Sequence, residues 1–423
     1  MFRNARMPST GWFAAVGTTA LLTVLMTPPS AHASVVTCGQ TLTTSVVLQA
    51  DLLNCPGDGL VVGANDLTID LNGHTVDGVG LGVGIRTGGF ARTTLTNSAA
   101  TAAQVQEFDH GVQLAPGTSG TVVEKLTLRG NEFTGVDVNG ATHSRIRNNV
   151  IDRQSHRGVL VTGGAHDNVI ADNALTGNQG GGLLMQNSRA NRLEGNRITD
   201  SGNAGLVLEG SSGNTLLTNT VGGSGDGSFI LQLGSNDNLV QGNSTGRSAD
   251  AALIVSDSSG NRILSNTFRD SGDSGISLQS AHGTTVVGND VSANPGGIDL
   301  SRSDGNTIRS NTANDSKGDG ISLELSSNNL VELNQVNRSG SRGIYVVGEA
   351  TAATGNRLIG NTVNDNKGGG LSVSKAVHLV QGNTARGNGG WGISADPGNT
   401  DGGANLASGN GQAAQCSGVV CAP

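Results

Sequence analysis

Gly158-Val159-Leu160-Val161, Gly205-Leu206-Val207-Leu208 and Gly275-Ile276-Ser277-Leu278 each begin nine residues after an asparagine, at Asn149, Asn196 and Asn266. The asparagine itself recurs along the chain, at Asn149, Asn173, Asn196, Asn219, Asn243, Asn266, Asn289, Asn311, Asn334, Asn361 and Asn383. The successive spacings are 24, 23, 23, 24, 23, 23, 22, 23, 27 and 22 residues. So regular a period identifies one supersecondary unit, repeated, whose apolar face is buried only when copies stack.

Within a unit the apolar and polar residues alternate over three to five positions, as in Asn261-Arg262-Ile263-Leu264-Ser265-Asn266 and Gly320-Ile321-Ser322-Leu323-Glu324. That alternation signals short strands, and no segment after residue 30 keeps a helical period. Each coil is expected to hold two or three strands joined by tight turns. Stacking would set equivalent residues about 4.8 Å apart, so that every strand pairs in parallel with its counterpart in the next coil. The recurrent Asn suits a corner, because it tolerates a left-handed backbone and its amide can donate to one neighbour and accept from the other. It reads as scaffold, like the stacked amides of cross-β assemblies.

Composition supports this reading. Glycine supplies 67 of 423 residues, more than twice the usual ~7%, and aromatic residues only 2%, too few for an ordinary globular core. At the N-terminus, Arg3 and Arg6 precede an apolar stretch from Trp12 to Met26 and then Ala31-His32-Ala33, which predicts a signal peptide over residues 1–33. The apolar run is short for a membrane span. Without Arg3 and Arg6 the 25 basic residues fall to 23 against 33 acidic ones, a net charge of −10 that disfavours a nucleic-acid partner. The protein is expected to be secreted or periplasmic, where Cys38 with Cys55 and Cys416 with Cys421 would form disulfides, one stapling each end.

The opening Cys38-Gly39-Gln40-Thr41-Leu42, then Asp51-Leu52-Leu53-Asn54-Cys55 and Leu67-Thr68-Ile69-Asp70-Leu71-Asn72-Gly73-His74-Thr75, together with the repeat, resembles the right-handed parallel β-helix proteins of the pectin-lyase-like fold. The resemblance covers nearly all of the chain after residue 33. It implies an all-β, right-handed parallel solenoid of about 12–13 coils over residues 61–395, with disulfide-bearing caps at 34–60 and 396–423. That family includes polysaccharide lyases, uronate epimerases, glycosidases and surface adhesins, so the site must decide the function. Neither the Asp-Pro-His-Glu run of alginate epimerases nor the Gly-His-Gly of polygalacturonases is present. The glycine-rich segment from Gly222 to Gly227 reads as a turn, since its sixth position is not Asp.

Three groups of residues are candidates for function. Alignment on Gly111, Gly135 and Gly158 gathers Asp109, His110, Glu132, Asp152, Arg153, His156 and Arg157 near one corner. A lyase or epimerase acting on a uronate needs a cation for the sugar carboxylate, here Arg153 or Arg157, and a base, here His110 or His156. Otherwise these are solvated corner charges, as is the stacked pair His143 and His166. Asn203, Asp226, Asp250 and Asp273 form a second row, whose three carboxylates would repel unless a cation such as calcium bridges them or each caps its own turn. No cofactor is required.

The third group is the outward residue of the glycine-led strand, which is apolar in five consecutive coils: Leu160, Leu184, Val207, Ile230 and Ile254. Such a stripe should be covered, by a loop or terminal arm of the chain, by a partner protein or by a second copy through self-association. With few aromatic rings besides Tyr345 and Trp391 and only four lysines, the chain reads as a module that binds an extracellular polysaccharide or a surface partner along its flank, without catalysis. A polysaccharide lyase or uronate epimerase is the alternative.

Overall fold

In a computed structural model of the protein, residues 36–347, 353–374 and 377–423 are described. The expected signal segment lies outside them. Among the described residues there is no helix, and none that could cross a membrane. The chain winds as a parallel β-solenoid whose strands form sheets of 17, 16, 8 and 3 members.

One coil shows the pattern. Arg192–Glu194 lies in the 16-stranded sheet, Arg197–Thr199 in the 8-stranded sheet and Leu206–Glu209 in the 17-stranded sheet. Each pairs in parallel with the strand one coil on, so that Leu193 meets Leu216, Ile198 meets Val221 and Val207 meets Ile230. Leu193, Ile198, Leu206 and Leu208 point into the core and are fully buried. Phe108, Phe229 and Phe268 are the largest buried side chains in it.

The solenoid has about sixteen coils, more than the 12–13 predicted from the Asn period. The early coils lack the marker Asn, and both disulfide-bearing ends are themselves wound into the sheets. Gln40–Leu42 pairs with Leu60–Val62, and Cys416–Ser417 pairs with the strand Ile393–Ala395. The disulfides Cys38–Cys55 and Cys416–Cys421 tie these first and last turns.

The eleven marker asparagines form one buried chain of amides, each Nδ2 donating to the next Oδ1, as from Asn149 to Asn173 and from Asn361 to Asn383, both 3.0 Å. The left-handed residue of this corner is the one before the Asn, namely Asn148, Asp172, Gly195, Thr218 or Ser265, and not the Asn itself. Asn is there for its two-sided amide. Two further ladders went unread in the sequence. Asn168, Asn191, Asn214, Asn238 and Asn261 stack at the corner between the 17- and 16-stranded sheets. Asn131 and Gln154 stack at the corner between the 8- and 17-stranded sheets, and Asn366, Asn388 and Asn410 stack near the other end, where Asn388 lies between strands of the 3- and 17-stranded sheets. Their 22–24-residue spacing was visible in principle.

Glycine leads the strand for a steric reason. A Cβ on Gly205 would lie 2.1 Å from Val221 Cγ1 and 2.9 Å from the carbonyl oxygen of Ser228. At Gly205 the chain passes too close to the next coil for a side chain.

Candidate functional site

The outward face of the 17-stranded sheet carries one column of residues from coil to coil, and its chemistry changes along the axis. At the N-terminal end the column is polar. Asp58 takes Arg86 Nε and Nη2 at 2.8 and 2.9 Å, Arg86 Nη1 donates to Gln113 Oε1, and Gln113 Nε2 donates to Asp137 Oδ2 at 2.9 Å. Asp137 is 5% exposed and its Oδ1 is buried without a partner. Burial pushes its carboxyl above the ordinary range, against the pull of Gln113 and His110.

The aliphatic stripe follows. Leu184, Val207 and Ile230 are 4%, 6% and 8% exposed, with Leu160 and Ile254 half-buried at the two ends. No separate loop of the described chain is needed to cover it. The side chains stack on one another with Ala204, in a groove bounded by Arg157, Asn203 and Asp226 on one side and Glu209 and Gln232 on the other. Both Glu209 oxygens are occupied, by Gln186 Nε2 at 2.7 Å and Gln232 Nε2 at 3.0 Å. Arg157 is half-buried and makes no ion pair among the described residues, its Nη1 donating to the Gly180 carbonyl at 3.2 Å.

The predicted corner of charged residues divides into two. In one part His110 Nδ1 lies 2.9 Å from Thr134 Oγ1 and its Nε2 3.5 Å from Asp109, while the Phe133 ring meets His110 edge-on at 5.4 Å and stacks on His156 at 4.9 Å. His156 Nδ1 is buried without a partner, and burial, then the Arg157 charge, push its pKa down. Asp152 and Arg153 form the other part. Asp152 pairs with Arg153 at 2.9 Å and Arg129 at 3.4 Å, across the turn that holds buried Gln154. Glu132 is exposed. His143 and His166 do stack, ring to ring at 6.1 Å, and His166 pairs with Asp167 at 2.7 Å.

In the acidic row two of the three aspartates cap their own turns. Asp226 Oδ1 accepts from the Gly227 N–H at 2.8 Å, and Asp250 Oδ1 from the Ala251 N–H at 2.7 Å. Among the described residues no three His, Cys, Asp or Glu side chains, Asp273 included, converge where a metal ion could sit. An Asp that caps its own turn points along the backbone and away from its neighbour one coil on.

Beyond Ile254 the column turns polar again, with Ser277, Asp299, Ser322 and Tyr345 paired in register. Here lies a cleft of about 530 Å³, lined by Ser277, Asp299 and Ser322 on its floor and by Ser256, Asp257, Gln279, Ser280, Ser301, Arg302 and Glu324 beside them. Asp299 accepts hydrogen bonds from the Ser322 hydroxyl at 2.6 Å and from the Ser274 hydroxyl. Burial holds its carboxyl above the ordinary carboxylate range; the two hydroxyls oppose this, and the nearby charges of Asp273 and Asp319 add to it. In Asp319 burial acts the same way, but hydrogen bonds from Arg342 win and hold the carboxyl low. The Arg342 guanidinium also covers one face of the Tyr345 ring, 3.3 Å from its centroid. Asp299 is not among the candidates read from the sequence, where nothing sets it apart from other outward polar residues.

Comparison with known proteins places this geometry in context. No curated protein sequence matches the chain. Among solved structures it is similar to the A-module of mannuronan C-5 epimerase AlgE4 from Azotobacter vinelandii, at 14% identity, TM-score 0.45 and coverage of 76% of this chain and 91% of that one. It is similar also to DFA-IIIase from Arthrobacter chlorophenolicus A6, at 14% identity, TM-score 0.43 and coverage of 63% and 81%. A third is the catalytic unit of the GH87 alpha-1,3-glucanase from Streptomyces thermodiastaticus, at 15% identity, TM-score 0.36 and coverage of 74% and 59%. The family described as the right handed beta helix region matches this chain in overlapping segments over residues 41–192, 165–313 and 254–410, and the chain belongs to that family.

Proposed function

We propose that this protein is an extracytoplasmic β-helix module that holds a polysaccharide along the outward face of its 17-stranded sheet, with the cleft around Asp299 as the principal contact. The observation that carries this reading is the lining of the cleft, which is made of hydroxyls, amides and carboxyls on rigid strands. Sugar hydroxyls both donate and accept hydrogen bonds, and groups of this kind satisfy both demands. Strands one coil apart repeat the contact about every 4.8 Å, so an extended chain can be held by several coils in turn. Asp257 and Glu324 face a single cation, Arg302, in the cleft, and the balance favours a neutral polymer over a polyanion. The two disulfides suit an oxidising compartment.

Electrophoresis in gels containing dextran, laminarin, xylan or alginate tests the proposal. Retardation by a neutral polymer, lost when Ser277→Trp fills the cleft, is the expected result; no retardation by any polymer overturns it.

Uronate lyase or epimerase chemistry is a second reading, favoured by one observation: Arg157, half-buried and without an ion pair among the described residues, lies next to His156. Retardation by alginate that is lost in Arg157→Ala would support it.

A further inference from the structure

We propose that the cleft also cleaves the chain it holds, by glycoside hydrolysis with inversion, with Asp299 as the proton donor and Glu324 as the base. The inference rests on the polysaccharide reading above and extends it from binding to reaction.

The two carboxyl groups differ in their surroundings. Asp299 sits on the floor of the cleft under two serine hydroxyls, and the backbone is shaped to admit it. A Cβ on Gly296 would come within 2.7 Å of Asp299 Oδ2 and 2.8 Å of Ser274 Oγ, so the glycine makes the room the carboxyl occupies. Glu324 ends the strand Ile321–Glu324 on the same face and is exposed. A carboxyl group sunk in the floor beside an exposed one on the same face is the pairing that glycoside hydrolysis needs. Burial raises the Asp299 carboxyl, and Asp273 and Asp319 add to the effect.

The register sets the spacing. Asp299 pairs with Ser322 and Ser301 with Glu324, so Asp299 and Glu324 are diagonal neighbours, one coil and two residues apart. With strands about 4.8 Å apart and a rise of about 3.3 Å per residue, their Cα atoms are about 8 Å apart. The cleft of about 530 Å³ over these two positions has room for a sugar unit with a water beside it, and a water between base and sugar is what inversion needs. In the reaction the Asp299 carboxyl gives its proton to the glycosidic oxygen as the bond from that oxygen to the anomeric carbon breaks. A water molecule bonds to the anomeric carbon from the opposite face and gives its proton to Glu324. The products are a new reducing end and a free hydroxyl, and proton return from Glu324 to Asp299 through solvent resets the site.

The experiment uses the full chain after residue 33 and each polymer that retards it in the gel assay. New reducing ends are measured, and NMR reads the anomeric configuration of the first product. The expected result is release of reducing ends of inverted configuration, falling by roughly 10²–10⁴-fold in Asp299→Asn and in Glu324→Gln while both variants melt cooperatively and at no lower temperature than the parent. A polymer that is retained but never cut overturns the inference and leaves the binding reading standing. Cleavage that survives Asp299→Asn, or a product of retained configuration, overturns the assigned roles. If no polymer is retained, the binding reading itself fails and takes this one with it.

Discussion

Asn196 gives both its backbone N–H and its side-chain Nδ2 to one acceptor, Oδ1 of Asn219, each at 3.0 Å. Asn219 repeats the arrangement towards Asn243, at 2.8 and 3.0 Å, and both residues are buried. Truncating Asn219 to Ala therefore strands two buried donors one coil back. Each costs about 1–3 kcal/mol, so Asn219→Ala should lower stability by about 2–6 kcal/mol, read as a drop in the urea midpoint. An unchanged midpoint would show that water replaces the lost acceptor.

The Asp299 carboxyl makes stability depend on pH. Its folded pKa is raised by burial, so the unfolded chain gives up the proton first and folding loses stability as pH rises. The contribution is fully present below the ordinary carboxylate value, about 3.9, and is lost as pH climbs through the higher folded value. Asp299→Asn removes the titration. The variant should match the parent's melting temperature near pH 3 and exceed it at pH 7, and a gap that does not change with pH would contradict the raised value. Asp58 and Asp319, held low by Arg86 and Arg342, act in the opposite sense and are common to both proteins.

Val207 and Ile230 face outward yet are almost fully buried, in contact with the neighbouring coils. Changing both to Asp would bury two carboxylates about 4.8 Å apart with only the one guanidinium of Arg157 bordering the groove. The expected effect is a loss of more than about 3 kcal/mol in the monomer, seen by thermal melting. Sedimentation of the parent protein at high concentration tests self-association through the half-buried ends of the stripe, Leu160 and Ile254. Association that persists when both are changed to Ser would exclude this surface.

The Cys38–Cys55 bridge spans 17 residues and Cys416–Cys421 spans five. By loop-closure entropy they should contribute about 3 and about 2 kcal/mol. Replacing Cys38 and Cys55 by Ser should raise hydrogen exchange first in Gln40–Leu42 and Leu60–Val62, because coils contact only their neighbours. Uniform acceleration along the whole chain would mean that the solenoid unfolds as one unit.

Asp226 and Asp250 cap their own turns. Calorimetric titration with calcium is therefore expected to give no heat and no rise in melting temperature. Binding that disappears in Asp250→Asn would restore the acidic row as a cation site.

Much of the fold was legible because it is repeated and local. A strand alternates its side chains whatever surrounds it, so the period of about 23 residues was enough to stack Asn196 on Asn219 and to align Leu184, Val207 and Ile230 on one face. The coil number was underestimated because the first coils carry no marker Asn, and the corner's left-handed residue was misplaced by one because Asn is competent for either role.

The candidate site was not legible in the same way. Asp299 has the alternating neighbours of any outward residue, and its character comes from Ser274, 25 residues before it, from Ser322, 23 after it, and from the space beside Gly296. The sequence by itself determined which residues share a face and which coils are adjacent, since both follow from counting. Tertiary structure alone decided how deeply each is buried and which groups reach it, and those two quantities separate a solvated aspartate from one whose carboxyl is raised by burial.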